Sequence, residues 1–315
     1  MSAPLAGLKV VELARILAGP WIGQTLADLG AEVLKVESPQ GDDTRTWGPP
    51  FIDREDDHTA AYFHCTNRGK ESIAIDFTDE ADLAKLKTII ADADVLIENF
   101  KVGGLKKFGL DYESLQAANP KLVYCSVTGF GQDGPYASRA GYDFLIQGMS
   151  GIMSLTGEPD GPPQKAGVAF ADVFSGLYGV IGIQAALTER NTSGLGQHID
   201  ISLLDCMTGV LANQAMNYLA SGNTPKRLGN AHPNIAPYQT FATSDGDIIV
   251  ACGNDRQFSA LCGVLGLDHL GTDPKFATNP ERVSNRAVLT SLLGTAIQGW
   301  TKHDILQALE TAVVP

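Results

Sequence analysis

The sequence predicts an α/β protein, with a Rossmann-like parallel sheet in a large first domain and a smaller α/β domain after it. Three observations carry this. A β-branched run, a helical stretch and a second β-branched run follow one another within the first 40 residues. The same alternation recurs to about residue 202. The pattern then breaks near 221–240, where three prolines and several Gly and Asn residues cluster.

Leu8–Leu13 (LKVVEL) is a short apolar strand. Pro20–Leu29 has helical spacing, with Trp21, Thr25, Leu26 and Leu29 near one face, and Gly30 is a natural terminator. Glu32–Glu37 (EVLKVE) completes a βαβ unit. Ser72–Phe77 reads as the next strand. Thr78 is the expected cap of a helix running to about Ala91. Val95–Glu98 is a strand, Tyr112–Ala118 a helix and Leu122–Val127 a strand. Asp172–Arg190 is the longest apolar helix of this half. Gly194–Gly196 interrupts it before the strand His198–Ser202, and Leu203–Ala220 reads as one long helix.

The 221–240 stretch reads as a linker or ordered loop. Ile248–Ala251 is a strand, and Arg256–Leu265, Arg286–Gln298 and Lys302–Ala312 are helices. The expected domains are therefore 1–220, a linker at 221–227, and 228–315. The chain stops at Val313-Val314-Pro315 directly after a helix, so part of a longer protein is expected to be absent.

The 315 residues carry 23 Lys and Arg against 36 Asp and Glu, a net charge of -13. That balance, with no basic run, argues against nucleic acid and anionic membranes as partners. No apolar stretch is expected to approach membrane-spanning length, and the N-terminus lacks a targeting segment. A cytoplasmic location is expected, or a mitochondrial matrix in a eukaryote. Five cysteines without a C-x-x-C fit a reducing compartment and free thiols. His58 and His64 sit in no metal motif, so no metal is expected.

The first βαβ turn is Arg15-Ile16-Leu17-Ala18-Gly19-Pro20. It lacks the G-x-G-x-x-G that admits a pyrophosphate. There is no P-loop motif, and Gly148-Met149-Ser150-Gly151-Ile152 fails G-x-S-x-G at its last position. Two constellations remain. Asn67-Arg68-Gly69-Lys70, and Asn99-Phe100-Lys101 with Lys106 and Lys107, offer cations at strand mouths where phosphates could be held. Exposed Lys and Arg also form ordinary solvated faces. Asp172 opens the long helix after a glycine-rich apolar segment. An aspartate there reads first as an N-cap, and alternatively as a nucleophile facing a close-fitting wall.

At these residues the chain resembles the family III CoA-transferases (CaiB/BaiF family), the group that includes formyl-CoA transferase and carnitine CoA-transferase. The matching segments are RILAGP (15–20), DLGAEVLKVE (28–37), GDDTR (41–45), NRGKESIAID (67–76), DVLIENF (94–100), SVTGFGQDGP (126–135), GYDF (141–144), GVAFAD (167–172), GLGQHID (194–200), GNAHP (229–233) and PYQTF (237–241). They run along essentially the whole chain in order. The resemblance implies an interlocked homodimer whose members extend past this endpoint and return to the large domain. It implies acyl-CoA as substrate, with no tightly bound cofactor. It makes Asp172 the catalytic nucleophile, which forms an aspartyl-CoA thioester. Backbone N–H groups of the loop at 228–233 become candidate oxyanion donors. The implied CoA contacts are Ile16, Leu17, Ala18, Ile75, Asp76, Asn99, Phe100, Lys101, Lys107, Ala140, Tyr142 and Asp143. Ser38 stands where some relatives carry arginine, and Arg68 and Lys70 are expected to compensate.

WGPPF (47–51), SRAGYD (138–143), GNDRQF (253–258) and TNPERVSNR (278–286) most resemble the succinyl-CoA:dicarboxylate subgroup, such as succinate–hydroxymethylglutarate CoA-transferase. Arg45 and Arg139 are then the candidates to hold the distal carboxylate of a dicarboxylate, and each reads equally well as an ordinary structural ion pair. Two alternatives stand beside this reading. The α-methylacyl-CoA racemases share the aspartate but pair it with a histidine, and here Tyr142 takes that place in Gly141-Tyr142-Asp143. A phenol with a reference pKa of about 10 is a poor base at neutral pH. A non-catalytic acyl-CoA-binding protein would keep the CoA loops without needing Asp172.

Overall fold

The computed structural model describes residues 3–54 and 57–315. The chain forms β1 (Lys9–Glu12), α1 (Ala18–Asp28), β2 (Glu32–Glu37), β3 (Phe51–Arg54), β4 (Asp57–Ala60), α2 (Ala61–His64), β5 (Lys70–Ala74) and α3 (Glu80–Ala91). It continues with β6 (Val95–Glu98), α4 (Tyr112–Ala118), β7 (Val123–Thr128), α5 (Asp143–Ser150), α6 (Ile152–Leu155), α7 (Phe170–Ser193) and β8 (His198–Ser202). Then come α8 (Leu203–Gly209), α9 (Ala212–Ser221), β9 (Tyr238–Ala242), β10 (Asp247–Ala251), α10 (Asp255–Val264), α11 (Asn279–Ser284), α12 (Arg286–Ile297) and α13 (Lys302–Thr311).

Six strands make one sheet in the order β5-β2-β1-β6-β7-β8, every pair parallel. Numbered as the chain enters the sheet, this is 3-2-1-4-5-6, the doubly wound order. Its crevice opens at the carboxyl ends of β1 and β6, where the winding reverses. Both faces are covered, so neighbouring residues of one strand enter opposite cores. Val10, Ile97 and Val127 join one core with Ile22, Leu26 and Ile183 from the helices. Val11, Leu96 and Tyr124 join the other with Leu86, Ile90 and Leu115.

The chain divides into two compact units, residues 1–153 with 165–216, and residues 154–164 with 217–315. The second unit has its own core of Phe241, Val250, Phe258, Leu261, Leu293 and Ile305, among others, around the β9–β10 antiparallel pair. Arg227 fastens the 154–164 segment within that unit by donating to the carbonyls of Ser154, Glu158 and Gly161.

Several elements differ from expectation. β5 starts two residues early, because its ladder with β2 runs from Lys70 opposite Val33 to Ala74 opposite Glu37. The cap of α3 is Asp79, whose carboxylate accepts from the N–H groups of Ala81 and Asp82, whereas the Thr78 hydroxyl donates to Asp76. The stretch expected as one helix at 203–220 is two, broken where Ala212 takes a left-handed φ of 46°. β9 begins inside the expected loop, and the β3–β4 hairpin and α5 were not expected at all. α7 is long and apolar enough to cross a membrane, against the sequence reading. Its Ala171, Val180, Ile183 and Ala186 are instead buried in the first core.

α7 packs against α1 at unusually close range. A Cβ on Gly179 would sit 2.4 Å from Ile22 Cδ1, and one on Gly176 would sit 3.0 Å from the Ala18 carbonyl oxygen. Glycine therefore lets the second and third turns of α7 touch the start of α1. Gly179→Ala should destabilise the protein. Overpacking costs about 1–3 kcal/mol and exceeds the roughly 1 kcal/mol that alanine gains in helix propensity. A lower urea midpoint with an unchanged m-value is the expected result.

Candidate active site

The β1–α1 turn, the segment after β6, the turn before α5 and the first turn of α7 meet at the reversal point of the sheet. They enclose a cavity of about 410 Å³. Ile16, Leu17, Ala18, Asn99, Phe100, Lys101, Arg139, Ala140, Tyr142 and Asp172 line it, so ten of the residues singled out in the sequence converge here. The turn before α5 reaches the wall because Gly129 and Gly141 meet backbone to backbone. A Cβ on Gly129 would lie 2.5 Å from Gly141 Cα.

Asp172 is the third residue of α7, and the cap position belongs to Ala169, so the N-cap reading does not describe it. Among the described residues no donor reaches its carboxylate. Burial pushes its carboxyl up to about 7, with the Asp143 charge adding to the effect. Asp143 stands just behind. Its carboxylate accepts from the Ala171 N–H and from Gln147 Nε2, both at 2.8 Å. Fully buried Gln147 accepts from the Ala166 N–H at 3.0 Å, so the pair ties α5 to the approach and first turn of α7. Sequence reasoning missed Gln147, whose only signal is its place one helical turn after Asp143. Tyr62 is pushed up to about 12, by burial and then by the Asp172 charge.

A second cavity of about 640 Å³ adjoins the first, with Arg15 and Phe100 lining both. It lies at the carboxyl ends of β1, β2 and β5 and is lined by Ile75, Asp76 and Ser38 among others. Lys107 lines neither cavity. Its ammonium lies 4.6 Å over the ring of Phe108, which does line the second.

Three expected cations are placed elsewhere. Arg45 is bidentate to Glu37, both bonds 2.7 Å, with its guanidinium 3.8 Å over the Phe63 ring. Arg68 is exposed and pairs with Asp28. Lys70 is buried on Glu12, the Pro20 carbonyl and Asn67, and burial lowers its ammonium to about 8. Arg15, which the sequence reading passed over, lines both cavities and pairs with Asp43 at 2.6 Å. Lys101 and Arg139 are the cavity cations that have no carboxylate partner among the described residues. The Arg139 guanidinium rests 4.2 Å over the Tyr136 ring. In the 228–233 loop of the second unit, the N–H groups of Ala231 and His232 are already bonded to Leu228 and Tyr238.

A sequence profile of CoA-transferase family III matches residues 5–315. The chain is 57% identical over 315 residues to the succinate–glutarate CoA-transferase of Agrobacterium fabrum, covering 99% of this chain and 79% of that protein. It is 42% identical over 313 residues to the human succinyl-CoA:glutarate CoA-transferase, covering 99% of this chain and 70% of the human one. A crystal structure of a CaiB/BaiF family protein from Brucella suis superposes with a TM-score of 0.87 at 66% identity, covering 100% of this chain and 83% of the other.

The raised Asp172 carboxyl has a thermodynamic consequence. Between the ordinary carboxyl range and about 7 the folded protein binds a proton that the unfolded chain releases. Stability contributed at this group is therefore lost as pH rises through that window. Asp172→Asn cannot ionise. It should melt at a higher temperature than the wild type at pH 8, with the difference gone by about pH 4, as read by calorimetry across pH.

Proposed function

The chain belongs to CoA-transferase family III, and from that premise we propose that it hands CoA from succinyl-CoA to a C4–C6 dicarboxylate through Asp172. The observation that carries this reading is the Asp172 carboxylate itself. Among the described residues no hydrogen-bond donor reaches it, and it lines a walled cavity whose rim also carries Lys101 and Arg139.

A carboxylate solvated by donors is a weak nucleophile, and this one has been stripped of them. Its oxygen attacks the thioester carbonyl of succinyl-CoA, the C–S bond breaks, and a mixed anhydride and CoA thiolate result. The thiolate attacks the Asp172 carbonyl carbon, expelling succinate and leaving an aspartyl-CoA thioester. The acceptor carboxylate attacks that thioester, releasing the thiolate, which then attacks the acceptor half of the new anhydride. Acyl-CoA leaves and Asp172 is restored. Each step exchanges one acyl bond for another, so the thioester energy is retained without ATP.

The acceptor assignment rests on charge. Arg139 and Lys101 give the cavity two cations that no carboxylate neutralises among the described residues. One charge-assisted bond to a distal carboxylate favours a dicarboxylate over a monocarboxylate. The names of the Agrobacterium and human relatives agree in class. Arg45, closed on Glu37, has no free valence for this role. Racemisation would need a second acid or base opposite Asp172. Among the described residues no histidine lines the cavity, and Asp143 is committed to Ala171 and Gln147.

Incubation with succinyl-CoA and a panel of acids, read by mass spectrometry, should give new dicarboxyl-CoA species. Asp172→Ala should give none. New thioesters from monocarboxylates alone would overturn the acceptor assignment. Arg139→Ala should raise the KM for the dicarboxylate about tenfold or more, the worth of one hydrogen bond to a charged group, and raise that for succinyl-CoA as well, because its free carboxylate would use the same cation. Because Asp172 must be ionised to attack, kcat/KM should rise with pH through about 7 and then level. A profile flat from pH 5.5 to 8.5 would contradict this.

A further inference from the structure

Ile16 has a φ of 73°, in the left-handed region. For a β-branched side chain this is a rare and costly backbone state, which persists only where its surroundings impose it. Ile16 sits in the turn that joins β1 to α1, at the reversal point of the sheet, and it lines the cavity that holds Asp172. Such turns ordinarily meet the same demand with glycine.

The two peptide groups that precede the Ile16 Cα are held from outside the turn. Lys35 Nζ donates to the Ala14 carbonyl at 2.9 Å. The Asn99 side chain takes the Arg15 N–H at 3.0 Å and gives to the Arg15 carbonyl at 2.6 Å. The Ile16 N–H points at the Asp42 carboxylate, 3.2 Å from Oδ2 and 3.4 Å from Oδ1. Asp42 is itself buried and fixed. Oδ1 accepts the Thr44 N–H at 3.0 Å and its hydroxyl at 2.7 Å, and Oδ2 lies 3.0 Å from Lys35 Nζ. Lys35 and Lys70 share Glu12 behind it, so two ammonium groups and two carboxylates form one dry network.

We propose that Asp42 is a positioning residue for the CoA-transfer site: with Lys35 it holds Ile16 in its left-handed conformation, and so keeps an isoleucine side chain, in place of a bare glycine turn, on the wall that acyl-CoA packs against. This rests on the CoA-transfer reading of the cavity. A network serving only to fill the core would have no need to reach the one strained peptide of the turn.

The test is a double-mutant cycle of Asp42→Asn and Ile16→Gly. The asparagine keeps Oδ1 for Thr44 and turns Oδ2 into an N–H donor facing two other donors, Lys35 and the Ile16 N–H. Ile16→Gly removes the strain that Asp42 is proposed to hold. In the wild-type background Asp42→Asn should lower kcat/KM for CoA transfer about tenfold or more and weaken CoA binding in calorimetric titration. In the Ile16→Gly background the same substitution should change both less than about twofold, a coupling of the size found between residues in contact. Equal factors in both backgrounds, or no effect of Asp42→Asn on wild type, would overturn the proposal. CoA titration needs no turnover. A protein that binds CoA but transfers it to no acid would sink the reaction, while the cycle is still read from affinity. An Asp42→Asn chain that folds only alongside Ile16→Gly counts for the proposal. If it folds in neither, Thr44→Val, which removes the hydroxyl bracing Asp42, takes its place in the cycle under the same two outcomes.

Discussion

The site depends on the contact between α1 and α7. Gly176 and Gly179 bring the helices close enough that their first turns end at the same edge of the sheet. Leu17 and Ala18 from one and Asp172 from the other then line the same cavity. A helix N-terminus favours a carboxylate by about 0.3–1 kcal/mol, which alone would lower its pKa by less than one unit. The Asp172 carboxyl nevertheless sits at about 7. Burial between the two helices outweighs the dipole, and a group that would be an unremarkable surface acid becomes a desolvated one.

That balance explains why spacing alone could not assign Asp172. An aspartate at the start of a helix reads as a cap, and only its position two residues inside the helix, with Ala169 at the cap, separates the roles. The βαβ alternation was legible because both faces of the sheet are buried. β2, β6, α4 and β8 fall where the pattern puts them. The β3–β4 hairpin was not legible, since Phe51–Arg54 and Asp57–Ala60 show no apolar alternation and, among the described residues, pair with no strand but each other. The break at 210–211 was not legible either, because helical composition continues across a left-handed alanine.

Charges were the least legible feature. Arg45, Arg68 and Lys70 have the chemistry to hold phosphate or carboxylate, and residue type was all the sequence offered. Their partners lie 8, 40 and 58 residues away in the chain, at Glu37, Asp28 and Glu12. Folding spends these cations within the protein and leaves Lys101 and Arg139 on the cavity. In a chain of net charge -13, a cation without a nearby acid is the informative one.

The sheet order is that of dinucleotide-binding proteins, yet the turn at its reversal point carries Ile16 where a glycine would admit a pyrophosphate. The topology fixes where a ligand crevice opens, and the turn decides what chemistry it suits. A glycine turn offers bare N–H groups to an anion. Here the N–H of the left-handed residue is turned inward to Asp42, and the residue, an apolar one, lines the cavity. Ile16 thus adds apolar surface, not anion-binding N–H groups, to the cavity in which burial raises the Asp172 carboxyl. The same backbone plan yields a pocket for acyl exchange in the place where its relatives in topology cradle phosphate.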